Sequence, residues 1–271
     1  MKHAFTCLNK IYTKRIDKPG TCTDKEPKLK VCGNRKINAD LSSAVGIQRA
    51  INLGLTSKGS IDGLDKSHTD MGLQEEPFII STSQVYAALP IFTSERNARL
   101  FILFRDPIER VISKYYYSKI STWEKTYNPE VANMDLLSYA NSKHCYSNWV
   151  TRRLVNKMEG ELSDDDLELA KEILRRKALV LLIDDFQGSI ERLRIYFGWD
   201  NEILSDEQQI CLKSLIENPM NANGQKRTVE KSSLEWNIIK EKNLIDLKLM
   251  SFVTDYLYDE QRSLFFHSRK K

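Results

Sequence analysis

LFILFRDPIERVISKYYY, residues 100–117, reads as a buried strand, a sharp turn and an amphipathic helix. Leu100, Phe101, Ile102, Leu103 and Phe104 form a continuous apolar run, the pattern of a central strand covered on both faces. Asp106 then stands at the N-cap, Pro107 at the first helical position, and Glu109 three residues after the cap, a capping-box pattern. Ile108, Val111, Ile112, Tyr115 and Tyr116 follow as one apolar stripe, with Arg110, Ser113, Lys114 and Tyr117 on the other face. Arg105 therefore leaves the carboxyl end of a strand, where open α/β sheets bind ligands. Ser113 lies along the helix, roughly 9 Å beyond Pro107 at 1.5 Å per residue. An arginine and a hydroxyl so placed suit opposite sides of a phosphate. Strand–Asp-Pro–helix junctions also occur as plain structure throughout α/β proteins.

The pattern R-D-P-x-E-R-x-x-S-x-Y-Y resembles the 3′-phosphate-binding segment of the Golgi carbohydrate sulfotransferases that use 3′-phosphoadenosine 5′-phosphosulfate (PAPS). The resemblance implies that Arg105 and Ser113 bind the 3′-phosphate. It spans residues 36–266, most strongly 99–117 and then 178–199. The fold it implies is α/β: a P-loop-like three-layer domain with a central, mostly parallel sheet and added C-terminal helices. This domain is expected over residues 36–271, after an irregular segment at 1–35. The implied reaction moves a sulfuryl group from PAPS, as co-substrate and without a metal, to a hydroxyl of a glycan. A carboxylate or histidine would take the hydroxyl proton, and the sequence does not say which. The Golgi lumen is the compartment implied by the resemblance alone, since the sequence shows neither a signal peptide nor an anchor.

Composition sets wide bounds. At 271 residues, 41% hydrophobic and 29% charged, the chain has the make-up of a globular protein able to bury a sizeable core. A net charge of +4 suits an anionic nucleotide or glycan and is too weak to argue nucleic acid. No apolar run approaches the roughly 20 residues of a membrane helix. The five cysteines match no zinc spacing, and their odd number leaves at least one thiol free within the chain.

Along the chain, residues 36–40 read as a short strand, and Ser42 or Ser43 caps a helix ending at Gly54. Residues 77–82 read as a strand, and Ser83 as the cap of a short helix carrying Tyr86, Ala87 and Leu89. In the polar loop before them, His68 is either solvated or a general base. Residues 134–139 read as a helix. Trp123, Trp149, Arg152 and Arg153 are either contacts to an acidic sugar chain or core aromatics and ion-paired arginines. Asp164, Asp165 and Asp166 follow Ser163 at a helix start and read as macrodipole partners in preference to a metal site. Residues 178–183 (ALVLLI) are the strongest strand, followed by a helix ending near Trp199. Residues 205–217 and 236–266 read as helical, the latter with Leu244, Leu247, Phe252, Tyr256 and Leu257 inward. Between them Lys226 and Arg227 sit in a turn-rich loop. The resemblance makes them candidates to close over the nucleotide; the other reading is a solvated loop.

A PAPS enzyme also needs a Pro-Lys-x-Gly-x-Thr-like loop to cradle the 5′-phosphosulfate. The nearest match, Lys18 to Thr23, has the residue types in another order, so such a loop is expected upstream of Met1 or lost. This keeps open a second reading, a non-catalytic sulfotransferase-like module that binds nucleotide or glycan. A third, a kinase relative, lacks any GxxxxGK[ST] match.

Overall fold

The computed structural model describes residues 27–32, 36–37, 39–41, 43–57, 61–62, 80, 82–94, 97–122, 124, 126–197, 206–217 and 229–267. The chain divides into two compact units, Met1–Arg99 and Leu100–Lys271.

In the first unit, β1 (Leu29–Cys32) pairs antiparallel with β2 (Lys36–Ile37) and parallel with β3 (Ile61–Asp62). β2 falls in the stretch read as a strand, whereas the short β1 was not foreseen in so Lys-rich a segment. Helix α1 (Ala44–Asn52) is capped by Ser43, whose hydroxyl accepts from Gly46 N at 3.1 Å. Gly54, at φ +61°, takes the left-handed turn just past its end. A Cβ on Gly46 would lie 2.0 Å from the Asp40 carbonyl oxygen, so only glycine lets helix and loop approach this closely. Short α2 (Val85–Ala88) begins after Gln84, whose N–H donates to Thr82; the side chain at that turn is Thr82, in place of the expected Ser83. Leu29, Ile47, Ala50, Leu55, Ala88 and Ile91 form the core.

The second unit is mixed α/β and mostly helical, around a two-stranded parallel sheet. β4 (Leu100–Phe104) pairs in register with β5 (Ala178–Leu182), from Leu100 opposite Ala178 to Phe104 opposite Leu182. β5 is buried throughout, while in β4 only Phe104 is fully so, and Leu100 to Leu103 remain half-buried. β4 is thus less enclosed than its apolar run implied. Helix α3 (Pro107–Ile120) buries Ile108, Val111, Ile112 and Tyr115, the stripe read from the sequence. They pack with α4 (Pro129–Asn133), α5 (Leu136–Asn141) and Ile239. Helix α6 (Trp149–Val155) precedes α7 (Asp164–Lys177), which carries the Ser163–Asp166 capping box and feeds directly into β5. After β5 come α8 (Phe186–Phe197), α9 (Asp206–Glu217), α10 (Leu234–Lys242), α11 (Leu244–Phe252), a π-helical turn (Val253–Leu257) and α12 (Tyr258–His267).

The C-terminal helical stretch departs from its expected phase. Asn243 starts a new helix and the π turn inserts an extra residue, so Leu249 and Val253 share the inward face with Leu257, which was expected there. Leu244 and Tyr256, expected inward, are 50% and 68% exposed. No helix among the described residues is long and apolar enough to cross a membrane. Residues 77–79, 81, His68, Trp123 and the Lys18 to Thr23 stretch lie outside the described residues.

Candidate functional site

The β4–α3 junction is built by Asp106. Its Oδ1 accepts from Ile108 N at 2.9 Å and Glu109 N at 2.8 Å, and Pro107 has no N–H to offer. The first-turn amides that often hold anions at a helix start are therefore committed or absent. Any anion here is held by side chains. Glu109 does not complete the expected capping box. Its carboxylate instead accepts from Arg105 Nη2 at 3.1 Å.

That ion pair is loose. The Arg105 and Glu109 side chains are 35% and 45% exposed, and such pairs contribute about 0–1 kcal/mol. A phosphate able to take a bidentate contact from Arg105 competes well against it. Ser113 follows Glu109 by four residues on the same ridge of α3. It is half-buried, and its hydroxyl makes no hydrogen bond among the described residues. The structure therefore sets Arg105 just before the N-cap of α3 and Ser113 on that helix, with Glu109 between them in sequence. Lys226 and Arg227 lie outside the described residues.

A second cluster gathers on Trp149, at the start of α6. The Arg110 guanidinium lies 5.3 Å from the indole centre and that of Arg153 5.6 Å. Arg110 Nε and Nη2 and Arg153 Nε are buried without an acceptor. Burial pushes the Arg110 guanidinium below its ordinary pKa, with the Asp246 carboxylate and then Tyr139 opposing. Burial likewise pushes the Tyr139 hydroxyl up to about 12. Arg152 serves differently: it donates to the carbonyls of Ser147, Lys157 and Gly160 and is a staple for the α6–α7 loop. Among the described residues it forms no ion pair. In the sequence Arg110 stood out only as a member of the polar face of α3, one turn before Ser113. The tertiary contact with Trp149 is what marks it.

Trp149 is held by two helices that cap each other. Asn148, in left-handed backbone at φ 46°, accepts through Oδ1 from Ile245 N and Asp246 N, both at 3.0 Å, at the start of α11. Asp246 returns the favour to α6, accepting from Val150 N at 3.0 Å, Thr151 N at 2.8 Å and the Thr151 hydroxyl at 2.7 Å. Asn243 Oδ1 accepts from Asn148 N at 3.1 Å. Asp246, Thr151 and Asn243 are buried.

Asp166, in the acidic run before Leu167, is spent on the capping box and on Lys157 at 2.8 Å. Asp164 pairs with Lys248 at 3.2 Å. Among the described residues no group of three or more His, Cys, Asp or Glu is placed to hold a metal ion. No protein-family model, curated protein or solved structure matches this chain.

Proposed function

We propose that this chain is a PAPS-dependent sulfotransferase acting on a glycan hydroxyl. The observation that carries the reading is the junction at Arg105. A side-chain cation follows the carboxyl end of a parallel strand, at a helix start whose amides are already committed, with an unbonded serine further along the helix. A nucleotide 3′-phosphate would displace Glu109 from Arg105 and take a further hydrogen bond from Ser113. The acceptor oxygen would attack sulfur in line, the bond from sulfur to the bridging 5′-phosphate oxygen would break, and 3′-phosphoadenosine 5′-phosphate (PAP) would leave. The hydroxyl proton would pass to a base that remains unassigned.

The P-loop-like three-layer architecture belongs to this proposal, as do the Golgi lumen and a phosphosulfate loop at Lys18 to Thr23 or upstream. The outer edge of β5 is closed by side chains, so further strands of such a sheet would add on the β4 side. The Arg105–Glu109 pair also fits a second reading, a non-catalytic module that binds nucleotide or glycan.

Titration with PAP tests the site. Arg105→Ala is expected to weaken PAP by about 1.5–3 kcal/mol, and Ser113→Ala by less, since it removes a neutral donor. A nucleotide lacking the 3′-phosphate should be indifferent to both. Equal losses for the two nucleotides, with the fold intact, would overturn the assignment. Transfer from labelled PAPS to a glycan panel separates the readings: PAP binding without turnover marks the module, and turnover abolished by Lys18→Ala identifies the loop.

A further inference from the structure

We propose that Arg110 and Arg153, gathered on Trp149, form a second oxyanion site that takes a sulfate, phosphate or carboxylate group. The inference rests on unmet hydrogen bonds and does not use Arg105 or Ser113. Three guanidinium N–H positions in this cluster, Arg110 Nε and Nη2 and Arg153 Nε, are buried with no acceptor. Buried donors are nearly always satisfied, and those of charged groups are the most costly to leave unpaired. The unit's other enclosed arginines follow that rule. Arg152 donates to three backbone carbonyls, and Arg192, stacked on Tyr258, donates to the carbonyls of Val180 and Tyr258.

Among the described residues no carboxylate fills the gap. Asp246, whose charge acts on Arg110, directs Oδ1 to Thr151 and Oδ2 to Val150 and forms no ion pair with either arginine. Two guanidinium cations beside one engaged carboxylate leave an excess positive charge on a single indole. Cation–π contact with Trp149 engages the guanidinium charge without using any N–H, so the N–H bonds remain for an oxyanion. A planar fork of donors suits two oxygens of one anionic group.

The test is calorimetric titration of the whole chain with sodium sulfate, inorganic phosphate and acetate, ionic strength being held constant with sodium chloride. A saturable signal is expected for at least one anion. Arg110→Met and Arg153→Met keep bulk and remove the donors, and each should weaken that anion by about tenfold or more. The Arg105→Ala/Ser113→Ala double variant should leave it unchanged. If Arg110→Met does not fold, Arg153→Met carries the comparison, and Arg153→Lys, which keeps charge without Nε, is its conservative partner. Glucose 6-sulfate and glucuronate, set against free sulfate and acetate, distinguish a sugar-borne group from a free ion; dependence on the two arginines supports the site in either case. Absence of any saturable signal overturns it. So does a signal that survives both arginine substitutions, including one lost only in the Arg105→Ala/Ser113→Ala variant, which would place the anion at the nucleotide junction instead.

Discussion

Replacing Asp246 with alanine should be among the most damaging single changes in the second unit. The carboxylate accepts three hydrogen bonds, from Val150 N, Thr151 N and the Thr151 hydroxyl, and it is buried. The hydroxyl can rotate toward another acceptor, but the two amides at the start of α6 cannot. Each bond to a charged group is worth about 1.5–3 kcal/mol, so two stranded amides imply a loss of about 3–6 kcal/mol. Total stabilities of about 5–15 kcal/mol are typical, so a large share would go. Asp246→Asn should be milder, about 1–2 kcal/mol. Its amide oxygen can keep both Thr151 bonds, while its NH₂ group faces the Val150 N–H and repels it. Urea unfolding followed by circular dichroism measures both, with the midpoint shift converted through a common slope. A loss below about 1 kcal/mol for Asp246→Ala would refute the reasoning, because water or a neighbouring group would then be satisfying α6.

Three further outcomes follow from the same geometry. Asp106→Ala should lower stability by about 0.5–2 kcal/mol, the range for a lost N-cap, and loosen the strand–helix turn that aims Arg105; unchanged denaturant midpoints would show that the helix starts elsewhere. Asn148 and Asn156 both sit at positive φ, 46° and 57°, yet Asn156→Gly should be neutral or stabilising by up to about 1 kcal/mol, while Asn148→Gly should destabilise because it removes the acceptor for Ile245 and Asp246. Cys145 is a free, buried thiol whose pKa burial pushes up, so it holds less thiolate at pH 8 than an exposed cysteine does; peptide mapping after iodoacetamide should find it protected until the chain is unfolded.

What was legible in the sequence is what short-range chemistry determines. Asp106 with Pro107, Ser163 with its acidic turn, and Ser43 before Gly46 mark helix starts through contacts within three residues, and each is the cap in the structure. The apolar run at 178–183 was legible from composition and gives a strand over Ala178–Leu182, every residue of it buried. Glu109 shows the limit of such reading. Its spacing fits a capping box, but Arg105, four residues before it, takes the carboxylate. The Trp149 cluster was only half visible. Trp149 and Arg153 were candidates, but the partner that makes them a site, Arg110, lies on another helix. The bonds that hold α6 in place span 95–98 residues of sequence, and no local pattern encodes them. The π turn was equally hidden, since one inserted residue shifts the buried face without altering composition.

The sheet itself explains why the helices carry so much of this unit. Ile183 N donates to Phe104 O, so odd-numbered residues of β5 bond β4 and even-numbered ones turn their backbone groups outward. A third strand would ordinarily satisfy those groups. Here side chains do so: Gln261 takes Val180 N at 2.9 Å and reaches Ala178 O at 2.8 Å, and Ser189 both accepts from Leu182 N and donates to Leu182 O, each at 2.8 Å. Arg192 adds a longer contact to Val180 O at 3.5 Å. An amide side chain offers one donor and one acceptor at about the separation of a strand's own groups, so Gln261 of α12 stands in for a neighbouring strand. β5 is therefore a closed edge, protected from pairing with another chain. Two strands alone are marginal in water. The junction that presents Arg105 consequently owes its position to α8 and α12 on one side of the ladder and to the capped start of α3 at its end, more than to the ladder itself.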